Sequence, residues 1–166
     1  MTLVKLLLKE MEEEGKTTRK MLERVPTDKF DWKPHPKSMS IKQLTAHIAE
    51  LPGWVPMVLA THELDFATAA YTPTDLKNTE ELLAFFDKTL ADAKEKLAKA
   101  TDEQLLNERW VLRTGGHIHS DGTKYDMVRI AYSQTIHHRA QLGVFLRLLD
   151  IPIPGSYGPS ADDTNF

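Results

Sequence analysis

The sequence predicts an all-α four-helix bundle, and three observations carry that expectation. Four long segments repeat their apolar residues at helical three- and four-residue spacing. The breaks between them fall at prolines or at polar stretches. At 166 residues the chain reads as a single domain, 1–166, long enough to bury roughly 70% of the surface its unfolded form exposes.

The first helix is expected from Thr2 to about Val25, where Val4, Leu7, Met11, Met21 and Val25 follow helical spacing and Pro26 ends the pattern. The linker TDKFDWKPHPKSM follows, extended because Pro34 and Pro36 forbid a helix through it. Ser40 and Gln43 then make the Ser-x-x-Gln pattern of a capping box, and the second helix carries Leu44, His47 and Leu51 inward. Pro52 and Pro56 kink or restart it, so Trp54 to Leu64 forms a separate turn or two.

A polar loop around YTPTD leads to Thr79 as a cap and to a third helix striped with Leu82, Phe86, Leu90, Ala93 and Leu97. That uninterrupted apolar stripe marks it as scaffold. Between Thr101 and Lys124, WVLRTGGHIHSDG alternates apolar and polar residues around Gly115-Gly116, which predicts a short hairpin or an irregular crossover. A link of this length suits a bundle with one long crossover connection. The last helix runs from Asp126 to Leu149, and a proline- and glycine-rich tail then packs extended along the surface with Tyr157 as an anchor.

Composition narrows the function. With 41% hydrophobic and 27% charged residues, the chain has the make-up of an ordinary globular protein. Its formal net charge of -3, with basic residues spread along the chain, lacks the footprint a phosphate backbone demands. No nucleic-acid partner is expected. The N-terminal MTLVKLLLKEMEEEGK resembles neither a secretory signal nor a membrane span, so a cytoplasmic location is expected, with no membrane partner. The chain has no cysteine, which removes disulfides, thiolate ligands and a cysteine nucleophile; any thiol comes from a cofactor or substrate.

Chemistry is sought where the last helix changes character. Its stripe of Met127, Ala131, Gln134, His138, Gln141, Phe145 and Leu148 is apolar at both ends and polar in the middle. Gln134 and His138 stand one turn apart, close enough to reach one small ligand or ion. The first helix has a matching interruption at Glu14 and Thr18. Side chains from facing helices can build a metal site in a bundle core, and the set proposed here is His47, Gln134 and His138. Imidazole suits zinc, nickel, copper or iron; Gln134 is the weak member, and water or Glu14 would supplement it.

Other histidines compete. His137 becomes the inward residue if the helix is rotated by a fraction of a turn. His117 and His119 form a His-x-His pair that can chelate a metal on a strand, although in a Gly-flanked loop they read as surface residues. His35 and His62-Glu63 lack partners at ligand spacing. Arg139 reads as pointing to solvent or to another subunit, while Arg139 and Gln141 could otherwise brace the site.

Two segments, WKPHPKSMSIKQLTAHIAEL and HHRAQLGVFLRLLDIPIPGSYGPSADD, resemble the DinB family, also described as DinB/YfiT-like metal-dependent proteins. The resemblance implies an up-down-down-up four-helix bundle, often dimeric, with a divalent metal held by three histidines. Two of them match His47 and His138. The middle one falls at Gln134, a departure that implies a weak or absent metal, zinc or nickel. Family relatives include transferases and isomerases that use low-molecular-weight thiols. The resemblance therefore implies a metal-dependent transferase or hydrolase, a small-molecule substrate and a homodimer. The alternative is a metal-free bundle serving as a small-molecule binding or dimerisation module.

Overall fold

Helix α1 (Leu3–Leu22) begins where the Thr2 hydroxyl accepts a hydrogen bond from the Lys5 amide. Its first turn is also capped from afar: the amides of Leu3 and Val4 each donate to the Asp102 carboxylate at 2.9 Å. An anion is stabilised there by the unpaired N–H groups at the positive end of the helix. Those bonds hold the Asp102 pKa below its ordinary value. The computed structural model describes residues 1–69 and 72–164. Tyr71 of the expected YTPTD loop and the last two residues of the tail lie outside them.

Helix α2 (Ile41–Glu50) starts with the expected capping box: Ser40 accepts from the Gln43 amide, and the Gln43 side chain accepts from the Ser40 amide. Ser40→Ala is expected to lower stability by about 1 kcal/mol; an unchanged denaturation midpoint would show that the box contributes nothing. Pro52 restarts the chain as expected, through a 3-10 turn at Leu51–Gly53 into α3 (Trp54–Ala60). Helix α4 (Thr79–Ala98) is capped by Asn78, one residue before the expected Thr79, whose hydroxyl donates instead to the Val25 carbonyl. A short α5 (Asp102–Asn107), which the sequence reading did not anticipate, follows. Helix α6 (Lys124–Leu148) opens with a second capping box, Thr123 with Asp126.

The expectation of an all-α four-helix bundle is corrected by a three-stranded mixed sheet. Strands β2 (Arg109–Thr114) and β3 (His117–Thr123) form an antiparallel hairpin, as one of the two readings of the Gly115-Gly116 region expected. Gly115 turns it at φ +56°, a conformation open to glycine. The strand β1 (Glu63–Asp65) adds to β2 in parallel, in register Glu63↔Val111. Three residues are too few to display a two-residue period, so β1 left no pattern to read.

Asp65 fastens this sheet at its tip. Its carboxylate accepts from the amides of Ala67 (2.9 Å) and Gly115 (2.8 Å) and pairs with Arg113. Those amide bonds hold the Asp65 pKa below the ordinary carboxylate value. At the other end of the central strand, buried Trp110 plugs the sheet into the helices and donates its indole N–H to the Thr61 hydroxyl at 2.9 Å.

The helices enclose two apolar clusters. One gathers Met21, Leu22, Ile41, Leu44, Phe86, Leu142 and Leu146. The other gathers Val4, Leu7, Val55, Leu97, Trp110 and Val128. Along α1 and α6 the polar residues Glu14, Thr18 and Arg139 lie between the residues of the two clusters. Among the described residues, no helix is long and apolar enough to cross a membrane.

Candidate metal centre

Helix α2 buries Ile41, Leu44, Thr45 and Ile48 and leaves Gln43, His47 and Glu50 at the edge of that buried stripe. Residues at i, i+4 and i+7 share one helix face. Those three form one side of a groove of about 670 Å³, whose apolar lining includes Met39, Trp54, Met57, Leu64 and Phe66. From α6, His138 and Gln141 line an adjoining depression of about 400 Å³ that shares Ser38 and Met39 with the first. The imidazoles of His47 and His138 meet where these hollows adjoin, with ring centroids 4.6 Å apart and planes at 81°.

Gln141 orients the α6 imidazole. Its Oε1 lies 3.1 Å from His138 Nδ1, and its Nε2 lies 3.0 Å from His137 Nε2. An amide oxygen only accepts and an amide nitrogen only donates. The bonds are therefore satisfied together when His138 carries its proton on Nδ1 and His137 accepts through Nε2. In that arrangement the His138 Nε2 lone pair is free.

Both central imidazoles favour the neutral form that ligation requires. Burial pushes the His47 pKa below its ordinary value, the neighbouring His138 lowers it further, and Glu50 offsets part of this. Burial also lowers the His138 pKa, His137 adds to that, and the Gln141 bond opposes it. Glu50 also secures the far side of the groove, accepting from the amide and hydroxyl of Thr74.

The structure thus brings His47 and His138 together across α2 and α6. It places Gln134 in solvent, one turn before His138. The buried residues of α6 are Lys124, Met127, Val128, Ala131, Tyr132, Arg139, Leu142, Gly143 and Leu146, a face rotated relative to the expected stripe. Among the described residues, no group of three or more histidine or acidic side chains is placed to hold a metal ion. His137 is exposed and packs edge-on against His138, with ring centroids 4.9 Å apart.

Arg139, expected to point to solvent or to another subunit, is instead buried within the chain at 2% exposure. It donates to Glu14 Oε2 at 2.6 Å, to the Thr18 hydroxyl at 3.1 Å and to the Tyr157 hydroxyl at 2.6 Å. Tyr157 in turn donates to Glu14 Oε1 at 2.7 Å, so the tail is anchored by the residue the sequence reading named. With both its oxygens engaged, Glu14 belongs to this cluster and does not supplement the histidine pair. The polar interruption on α1 was the signal for a buried cation opposite it; the sequence reading took it for part of a metal layer.

The remaining histidines lie apart from this pair. His35 accepts from the Lys37 amide within a turn, His62 is exposed beside β1, and His117 and His119 stand on β3. A further depression of about 580 Å³ lies between α6 and the tail, lined by Val144, Leu148 and Pro154 among others, and includes no histidine.

A family model described as the DinB family matches residues 1–165. A DinB-like protein from Bacillus subtilis is 19% identical, with a TM-score of 0.72 over 91% of this chain and 97% of that one. A DinB-like protein from Bacillus cereus is 18% identical, with a TM-score of 0.65 over 91% and 95%. A conserved protein from Enterococcus faecalis is 15% identical, with a TM-score of 0.66 over 90% and 98%. At these identities the likeness is one of fold. No curated protein matches the chain.

Proposed function

Since the chain belongs to the DinB family, we propose that it holds one divalent cation, zinc or nickel, between His47 and His138 and acts on a small molecule in the adjoining groove. The reaction class proposed is group transfer to or from a low-molecular-weight thiol, or hydrolysis. The observation that carries this reading is the meeting of two imidazoles from separate helices, 4.6 Å apart, at the edge of a groove of about 670 Å³.

The donor set fits a weakly held ion. Two imidazoles are good ligands for these metals. With Gln134 exposed, solvent would fill the remaining coordination positions. A bound cation of this kind lowers the pKa of a coordinated water or thiol and so supplies a nucleophile near neutral pH.

The chain's own groups do the remainder. Gln141 holds the His138 ring so that Nε2 keeps its lone pair. Gln43 offers its side-chain N–H groups along the polar side of the groove, while Trp54, Met57, Leu64 and Phe66 receive the apolar part of the substrate and exclude water from it. The lack of a third histidine or carboxylate favours a second reading, in which the two imidazoles are part of a metal-free binding groove.

Metal analysis and thermal unfolding separate the two. Zinc or nickel at one hundred times its dissociation constant is expected to stabilise the wild type by about 2.7 kcal/mol. His47→Ala and His138→Ala are each expected to abolish most of that gain. Equal metal content and equal stabilisation in all three proteins would overturn the assignment.

Protons compete for the same lone pairs. Both folded-state pKa values lie below the ordinary imidazole value of 6.5, so below that pH the unfolded chain binds more protons than the folded one. The metal-free protein is therefore expected to hold this part of its stability above pH 6.5 and to lose it as pH falls through the lowered values. Metal should leave over the same acid range, and uptake that does not change with acidification would contradict imidazole ligation.

A further inference from the structure

We propose that His117 and His119 form a second cation site on the β2–β3 hairpin, separate from the His47–His138 pair, for a borderline divalent cation such as Cu2+, Ni2+ or Zn2+. The hairpin is irregular where it matters. Arg113 pairs with Ile118 and Leu112 with Ser120, so His119 is the extra residue of a β-bulge. Bulges of this kind re-aim a side chain. Here the ring of His119 lies edge-on to that of His117, with centroids 4.8 Å apart and planes at 79°. Both residues are exposed, so a small rotation that turns two nitrogens toward one ion meets no packed neighbour on the open side.

His119 is also held from behind. Its Nε2 lies 2.8 Å from the Thr114 hydroxyl, and its ring packs against Phe66 at a centroid distance of 6.3 Å. With the proton on Nε2, the ring donates to Thr114 and leaves the Nδ1 lone pair for an ion. A ligating histidine characteristically bonds through its second nitrogen in this way, which fixes its tautomer and orientation.

The ligand chemistry selects the class of cation. Neutral imidazole nitrogens prefer copper, nickel and zinc, whereas magnesium and calcium need oxygen donors. The acidic side chains of the sheet are already paired, Asp121 with Arg109 and Glu63 and Asp65 with Arg113. Solvent must complete the coordination, since no third histidine or acidic group joins the pair among the described residues. The site is therefore one of loose, readily exchanged binding, tightest for Cu2+ at the top of the divalent affinity order.

Calorimetric titration with Cu2+ and with Ni2+ tests this on the full chain, free of any added histidine tag. His47→Ala/His138→Ala is expected to keep one equivalent of uptake, with Cu2+ tighter than Ni2+. Adding His117→Ala and His119→Ala should remove that equivalent while leaving the circular dichroism spectrum unchanged, because both side chains are exposed. Either hairpin substitution alone should weaken binding on the order of tenfold or more. Equal uptake with and without the hairpin histidines would overturn the proposal.

The two sites fail separately. If His117→Ala/His119→Ala abolishes all uptake by the otherwise wild-type chain, the hairpin site stands and the interior reading falls. If His47→Ala/His138→Ala abolishes all uptake, the hairpin proposal falls and the interior reading stands.

Discussion

Arg139→Leu is expected to destabilise the protein by about 3–5 kcal/mol, because it leaves the partly buried Glu14 carboxylate without its cation. For a domain whose total stability is roughly 5–15 kcal/mol, that loss is severe. Urea denaturation measures it. Replacing both partners, as Glu14→Leu/Arg139→Leu, should recover most of the loss, since a buried pair exchanged for apolar residues is often close to neutral. A single variant within about 0.5 kcal/mol of wild type would show that the pair contributes no more than an ordinary surface contact.

The same substitution reaches the histidine pair. Consecutive helix residues point about 100° apart, so with Arg139 held toward Glu14 and Thr18 on α1, His138 is turned toward His47 on α2. Losing Arg139 removes one of the contacts that hold α6 in this orientation beside His138. Metal-dependent stabilisation should accordingly fall in Arg139→Leu at temperatures where the variant remains folded. It should be retained in Ser40→Ala, which weakens α2 only at its start.

Trp110→Ala is the second large effect, expected at about 3–5 kcal/mol, the range for removing a fully buried large aromatic residue. Trp110 is where the sheet enters the apolar cluster formed by Val55, Val58, Leu105 and Val128. Trp110→Phe keeps most of the packing and loses the indole donor to Thr61, so it should cost about 1 kcal/mol from the lost hydrogen bond. Equal losses in the two variants would mean that the ring's bulk contributes little and the hydrogen bond nearly everything. Hydrogen exchange of the β2 and β3 amides should rise in Trp110→Ala before that of α4, because Trp110 is the fully buried member of the sheet's contact with the helices, beside partly buried Leu64 and Leu112.

Much of the candidate site was legible from residue types. His47 follows a capping box on an amphipathic helix, and His138 sits in the polar middle of another, so both faced inward in the sequence reading and do meet. Gln134 did not follow. Its position on a stripe was inferred by stepping through α6 in threes and fours, and a small error in helix phase accumulates over several turns. By the middle of α6 that error exchanged the inward residue from Gln134 and Gln141 to Tyr132 and Arg139. Gln141 nevertheless has a role at the edge of the site, through bonds to the histidines three and four residues before it on the same helix.

The fold divides the same way. Helix starts at Thr2, Ser40 and Thr123 and the turn at Gly115 depend on side chains bonding to backbone a few positions away, or on one residue's own dihedral preference. Such local chemistry is written in short stretches of sequence. The parallel pairing of β1 with β2, the capping of α1 by Asp102 and the burial of Arg139 depend on partners distant along the chain, 125 positions away for Glu14. A charged side chain is stable in the interior only where its counter-charge waits. Position 139 could be read as solvent-facing until the packing of α1 against α6 supplied one.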